Sequence, residues 1–283
     1  MRYKLEKLGC YVLIIFLLPY IITVFLNGPV VMSHENNVDN SSLEFKKYGM
    51  GVLAREIPTT YEAEAIKAQA IMVRTNIYKE IQENGEDAAL SGESWSKTDM
   101  KEAWGLTIYT NLYNKMEEAW DETEGQVLLY EEKLMYTPFF SLSNGSTRDG
   151  EEVLGKKYPY LKIKDCPLDI EVPEQLQTVT LDTQENIKIL STDTAGYVLK
   201  VRVGKEEVSG EEFRKNYKLA SSCFSVHEYE GTIRITTRGV GHGIGLSQNT
   251  ANKMAEDGKS AEEILQYFYE GCEIQEIADI VNK

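Results

Sequence analysis

Residues 61–83, Tyr-Glu-Ala-Glu-Ala-Ile-Lys-Ala-Gln-Ala-Ile-Met-Val-Arg-Thr-Asn-Ile-Tyr-Lys-Glu-Ile-Gln-Glu, are the stretch on which the fold turns. Ile66, Ala70, Val73, Ile77 and Ile81 recur at three- and four-residue spacing, which predicts a helix from about Tyr61 to Glu83 with one face in the core. Thr59 or Thr60, directly after Pro58, can cap its start. Lys67, Gln69 and Arg74 interrupt the small and apolar residues. Lys67 and Arg74 are seven apart, two turns, and so share a face. Charges in such surroundings cost free energy unless they are paired or stand in a cleft. Read alone, they would reach solvent or pair with surface acids.

Immediately upstream, Val52-Leu53-Ala54-Arg55-Glu56-Ile57-Pro58 sets one carboxylate in an apolar context. A short helix is expected from Leu43 to Ala54, stopping before Pro58. Desolvation disfavours an ionised carboxylate, so a glutamate placed like Glu56 can hold a proton and deliver it. On its own, a solvated loop glutamate is the commoner reading.

At the N-terminus, Arg2, Lys4 and Lys7 precede the charge-free run Cys10–Leu26, near the lower length for crossing a bilayer. The basic flank puts residues after Asn27 outside the cell. An uncleaved signal anchor fits better than a cleaved signal peptide, because Gly28-Pro29-Val30 is a poor exit site. Residues 1–30 therefore read as cytoplasmic tip and transmembrane anchor. Residues 31–42, rich in Asn and Ser, read as a linker. Cys166, Cys223 and Cys272 would all lie outside, and three leaves at least one thiol free. A Cys166–Cys223 bridge is one option that sequence leaves open. No CxxC pair supports a structural zinc site.

Downstream, residues 85–96 turn polar and 98–124 are helical, so 85–124 read as a helical insertion. After Gly125 the pattern changes to strands. Val127–Tyr130 and Leu134–Tyr136 flank a Glu-Glu-Lys turn, and Phe139–Ser141 leads into the loop Ser143-Asn144-Gly145-Ser146-Thr147. Further strands are expected at Gln177–Leu181, Ile187–Leu190, Val198–Val203 and Ile233–Thr237, within a β-rich subregion 170–235. Ser209 with Glu212, and Ser260 with Glu263, have capping-box spacing. Helices and strands in separate runs predict an α+β domain over 43–283. With 283 residues, 42% hydrophobic and 27% charged, the chain is long enough for one large domain carrying an insertion. Forty-five acidic against 30 basic residues give a net charge of −15, which argues against nucleic acid as a partner.

A second constellation is Thr237-Arg238-Gly239-Val240-Gly241-His242-Gly243-Ile244-Gly245-Leu246-Ser247-Gln248. The glycines alternate, letting backbone approach a ligand or pack against a sheet. It is not a dinucleotide fingerprint, since the third required glycine falls on Ile244 or Leu246. A Ser247–His242 nucleophile pair lacks both an orienting Asp and the G-x-S-x-G elbow. A lone His such as His242 is more often a structural hydrogen-bonder than a catalyst.

The segments Gly-Val-Leu-Ala-Arg-Glu-Ile-Pro, Glu-Ala-Ile-Lys-Ala-Gln-Ala-Ile-Met-Val-Arg-Thr, Phe-Phe-Ser-Leu-Ser-Asn-Gly-Ser-Thr, Tyr-Pro-Tyr-Leu-Lys and Gly-Val-Gly-His-Gly-Ile-Gly-Leu-Ser-Gln resemble, in this order, the motifs of the SpoIID family. The match runs over about residues 45–280. The resemblance implies a SpoIID-like catalytic domain and a lytic transglycosylase acting on peptidoglycan glycan strands. It implies that Glu56 is the catalytic acid and that Lys67, Gln69, Arg74, Ser143, Asn144, Gly145, Tyr160, His242, Ser247 and Gln248 bind substrate. It also implies a cell-wall amidase and membrane proteins of the engulfment machinery as partners. Some members hold zinc where this chain has Ser141, Asn144 and Thr147, so no metal or other cofactor is implied, and the usual Trp after that loop is missing. The alternatives are a non-catalytic wall-binding amidase enhancer and a sugar-binding sensor.

Overall fold

The computed structural model describes residues 40–182, 185–229 and 231–278. The anchor expected at residues 1–30, and the linker before residue 40, lie outside the described residues. No helix among the described residues is long and apolar enough to cross a membrane. The chain divides into two compact units, 1–45 and 46–283, and among the described residues the second holds all the sheets and every helix after the first.

Helix α1 (Asn40–Glu56) ends where Pro58 breaks it, and α2 (Ala63–Asn84) follows. The stripe expected on α2 proves too narrow. From Ala65 to Thr75 all residues but Lys67 are buried, so the helix is enclosed nearly all round. Its neighbours are α5 (Leu106–Glu122), β1 (Gln126–Tyr130), α8 (Gln248–Glu256) and α9 (Ala261–Phe268). Alanines at 65, 68 and 70 let those elements approach closely. Ile264, Leu265 and Phe268 of α9 complete this core with Ile71, Met72 and Leu128. Each such side chain contributes about 1.5–3 kcal/mol by leaving water.

The helical stretch between α2 and β1 is three pieces: α3 (Glu86–Ala89), α4 (Lys97–Trp104) and α5. Gly105, at φ +83°, separates α4 from α5. Ser96 and Asp99 close a capping box on α4. Strand β1 is central in the sheet β11–β1–β2, between β2 (Lys133–Leu134) and β11 (Glu273–Glu276). Its run Val127-Leu128-Leu129 is buried throughout. The hairpin is tighter than expected: Tyr130 pairs with Lys133, and the turn is only Glu131-Glu132.

Strand β3 (Phe139–Phe140) pairs in parallel with β10 (Leu246–Ser247). Helix α6 (Gly150–Leu154) follows the Ser-Asn-Gly loop. Two antiparallel three-stranded sheets make the remainder. One orders β4 (Leu176–Leu181), β9 (Thr232–Arg238) and β8 (Phe224–Tyr229); the other orders β5 (Ile187–Thr192), β6 (Val198–Val203) and β7 (Glu206–Ser209). Phe213 of α7 (Gly210–Asn216) packs against Phe224, Val201 and Ile235 in a second core. The architecture is α+β. Strands β7, β8, β10 and β11 escape the sequence reading; β7 and β11 are polar, and β10 is only two residues long. Their partners, not their composition, make them strands. Cys166, Cys223 and Cys272 are all free and buried, so the Cys166–Cys223 bridge is not made.

Candidate functional site around Glu56

Glu56 is the last residue of α1, where helix carbonyls run out of partners. Its backbone oxygen accepts a hydrogen bond from Gln248 Nε2 at 2.8 Å, and the same nitrogen lies 3.2 Å from Gln69 Oε1. Four residues along α8, Asn252 Oδ1 accepts from the Glu62 N–H at 2.7 Å. Glu62, not Thr59 or Thr60, holds the cap position of α2, and its own side chain makes no cap. One face of α8 thus satisfies both open ends of the α1–α2 break. Lys115 clamps the same connection from α5, donating to the carbonyls of Thr59, at 2.9 Å, and Tyr61.

The Glu56 carboxylate is 29% exposed, and its Oε1 lies 3.0 Å from Arg55 Nη2. Arg55 is shared, with Nη1 at 2.6 Å from Glu93 Oε2. The setting is therefore charged on one side, where the local sequence suggests an apolar one. Arg55 itself is a contact that the motif reading passes over. Gln69 and Gln248 are buried behind the carboxylate's backbone, and Gln69 Nε2 is a buried donor without a hydrogen-bond partner. Such orphans are rare in folded proteins.

Lys67 and Arg74 of α2 face α5. Lys67, half-buried, bridges Glu64 at 2.8 Å and Glu122 at 2.5 Å. Arg74 is 2% exposed, so the structure removes it from any groove surface. It donates to the carbonyls of Trp120 (3.0 Å) and Gln126 (3.3 Å) and lies 4.3 Å from the Trp120 ring centre. Burial pulls its guanidinium down to about 10.

The glycine-patterned loop lies against the strand that carries the Ser-Asn-Gly loop. A Cβ on Gly245 would strike the Pro138 carbonyl, and one on Gly241 would come within 2.6 Å of Phe140 Cβ. Both glycines have positive φ. The alternation therefore answers to packing against 138–143. Leu142 and Val240 exchange both backbone hydrogen bonds, at 3.0 and 2.7 Å. His242 is fully engaged: Nδ1 accepts from the Ile244 N–H at 3.1 Å, and the ring also bonds the Phe139 backbone. Burial, and secondarily the nearby Arg214 and Arg148, lower its imidazole to about 4 against the opposing pull of Glu211. It is neutral at pH 7.

Two buried polar knots tie these loops together, and neither was visible in the sequence. Asp169, after Cys166-Pro167, is fully buried and accepts four hydrogen bonds: Ser143 N (2.7 Å), Ser247 Oγ (2.7 Å), Asn249 Nδ2 (3.0 Å) and Thr250 Oγ1 (2.8 Å). Arg148, also buried, donates to Asp193 at 2.5 Å, Glu211 at 3.0 Å and the His242 carbonyl at 3.0 Å. A local pattern cannot point to partners up to 94 residues away.

The other expected binding residues take internal roles. Ser143 Oγ accepts from Gly145 N, and Ser247 caps α8. Asn144 donates to the Ala195 carbonyl at 2.8 Å and lies 3.3 Å from Cys223 Sγ. Tyr160, buried, both donates to and accepts from the Tyr136 backbone at 3.1 Å. The fold therefore gathers Glu56, Gln69 and Gln248, and separately gathers Ser143, Ser247 and Asp169. No group of three His, Cys, Asp or Glu side chains among the described residues is placed to hold a metal ion.

One central helix, a glutamate at its entrance pinned by the distant Gln248, and a glycine-patterned loop define the class: an α+β domain assembled from motifs far apart in the chain. The SpoIID family model, described as a stage II sporulation protein, matches residues 34–130. Stage II sporulation protein D of Bacillus amyloliquefaciens is 33% identical over 90% of this chain and 80% of its own length. Its counterpart in Bacillus subtilis is 32% identical over the same shares. The amidase enhancer of Bacillus subtilis is 24% identical over 78% of this chain and 39% of its own. The chain belongs to the SpoIID family.

Proposed function

We propose that this protein is a membrane-anchored lytic transglycosylase that cuts the glycan strands of peptidoglycan outside the cell, with Glu56 as its acid and base. Membership of the SpoIID family implies a cell-wall remodelling role in sporulation and supports an enzymatic one. The observation that carries the reading is the convergence on Glu56: a partly exposed carboxylate whose backbone is held by Gln248, itself bonded to Gln69.

Glycosidases that use water rely on two carboxyl groups. A transglycosylase works with one, because the sugar supplies the nucleophile. Protonated Glu56 gives its proton to the oxygen linking N-acetylmuramic acid to N-acetylglucosamine, and the C1–O bond breaks. The muramyl C6 oxygen then bonds to C1, closing a 1,6-anhydro ring, while Glu56 takes the hydroxyl proton back. Atoms balance without water. Gln69 and Gln248 set the position of Glu56, and Lys67, on the Glu56 half of α2, is the cation for the lactyl carboxylate. Arg74, the Ser-Asn-Gly loop, Tyr160, His242 and Ser247 support this site by holding the surrounding elements.

Mass spectrometry of glycan treated with wild type and Glu56→Gln tests the reading. Anhydro ends from wild type alone are expected; hydrated ends would replace transglycosylation by hydrolysis. An amidase enhancer is the second reading, motivated by the similarity to the protein of that name. It predicts no glycan product at all and a faster amidase in a mixed assay.

A further inference from the structure

A concavity lies at the opposite end of α2 from Glu56. It has a volume of about 1090 Å³ and is walled by the C-terminal half of α2, the β1–β2 hairpin and residues 156–160. Gln69 touches the Glu56 anchor and Glu83 lines the cavity. Fourteen helical residues separate them, a rise of about 20 Å.

Four tyrosines form its aromatic wall in one connected run. Tyr130 stands 5.1 Å from Tyr160, Tyr160 is 6.2 Å from Tyr158, and Tyr158 is 5.8 Å from Tyr136, between ring centres. Tyr160 is locked by its two hydrogen bonds to the Tyr136 backbone, so the ring between Tyr130 and Tyr158 cannot swing. Tyr136 at the open end is 39% exposed. Tyrosine offers an apolar face and a polar rim, which suits rings carrying hydroxyls.

The charges at the rim are also informative. Lys79 is paired with Glu83, and Glu80 accepts from Asn84. Lys133, Lys156 and Lys157 line the cavity and are exposed, with no ion pair among the described residues. Glu131 and Glu132 form no ion pair among the described residues, and Glu80, bonded to a neutral amide, keeps its charge. The four lysines and four glutamates of the lining balance, so the rim is locally neutral in a chain whose net charge is −15, with its three unpaired cations exposed. The hairpin turn adds a second anomaly. Glu131 and Glu132 sit at φ 49° and 61°, where a two-residue turn favours Asn-Gly. Strained non-glycine residues of this kind gather at ligand clamps.

We infer that this cavity is a second carbohydrate site, which grips an amino-sugar oligosaccharide bearing carboxylates by stacking on Tyr136 and Tyr158 and by ion pairing with Lys133, Lys156 and Lys157. The identification of that oligosaccharide with the peptidoglycan strand rests on the function proposed above. A peptide-free strand carries a lactyl carboxylate on every second sugar, which matches both features of the cavity. A strand longer than the α2 separation would be held here while Glu56 acts on it.

The test uses the full chain in detergent with Glu56→Gln, so that ligand is bound and not consumed. Two probes are titrated by calorimetry: amidase-stripped glycan fragments, which carry carboxylates, and chitin oligosaccharides, which do not. Tyr136→Ala should weaken both by about tenfold. Lys156→Glu with Lys157→Glu should weaken the stripped glycan by about tenfold and leave the chitin oligosaccharide within about twofold. All these side chains are exposed or half-exposed, and unchanged thermal midpoints confirm folding. Wild-type affinity for stripped glycan in both variants overturns the inference, as does equal loss of both probes in the charge reversal. Loss of affinity confined to a protein partner would assign the cavity to that partner and overturn it too. Product from unaltered Glu56 protein is read separately. Anhydro ends with unchanged binding in the variants remove the cavity alone; weakened binding without any product removes the cutting activity alone.

Discussion

Glu56 and Asp169 are both carboxylates held near the start of α8, yet they live under opposite conditions. Asp169 is fully buried with four donors on its two oxygens, from Ser143, Ser247, Asn249 and Thr250. Glu56 is partly exposed, and Arg55, its side-chain partner among the described residues, is divided between it and Glu93. A carboxylate whose acceptor sites are filled by the protein holds loops together and has nothing left for a ligand. One whose backbone is pinned while its head group is only lightly engaged can exchange a proton with a substrate. The contrast separates scaffold from chemistry better than residue type does.

The largest expected effect breaks the chemical half of the comparison. Glu56→Gln should lower anhydro-glycan formation by about 10²–10⁴-fold while leaving the thermal midpoint unchanged. A variant that keeps its activity sinks Glu56 as the acid. Asp169→Asn is the mirror experiment. It turns one acceptor oxygen into an NH₂ facing existing donors, so denaturant titration should show a loss of about 2–4 kcal/mol. Any fall in turnover should track the unfolded fraction.

Arg74→Lys sharpens the contrast within α2. It keeps the charge but loses the planar fork over Trp120 and the reach to two carbonyls, so about 2 kcal/mol of stability should go. Glycan affinity per folded molecule should hold. Lys67→Met removes a half-exposed ion pair, and should cost under about 1 kcal/mol of stability. A raised KM for glycan without a change in kcat is expected if Lys67 meets the lactyl carboxylate.

His242 supplies the pH test. Its folded value, about 4, lies below the ordinary 6.5. Between these two values the unfolded chain binds the proton and the folded chain does not. The stabilisation is therefore complete above about pH 6.5 and is lost as pH falls toward 4. The unfolding free energy should drop less between pH 7 and 4.5 in His242→Gln than in wild type, by about 2 kcal/mol. An identical drop in both would show that the imidazole is not shielded.

Much of this was legible locally. The core period of residues 61–83, the helix end before Pro58, the caps at Ser209 and Ser260 and the strands at 127–130 and 198–203 follow from hydrophobic spacing and end-capping, which act over a few residues. The order of the motifs sufficed for the family. Other features were not legible: the closed surroundings of Arg74, the Asn252 cap on α2, and the polar strands β7 and β11. Each depends on a partner far along the chain.

The amino-acid order by itself determined most of the helices and the more apolar strands, which residues could carry a proton, and the family to which the chain belongs. Only the tertiary structure decided which of those polar residues face water and which are spent on the fold. The reason is physical: a buried donor or acceptor must be matched wherever packing places its neighbour, and Gln248 meets Glu56 across 192 positions.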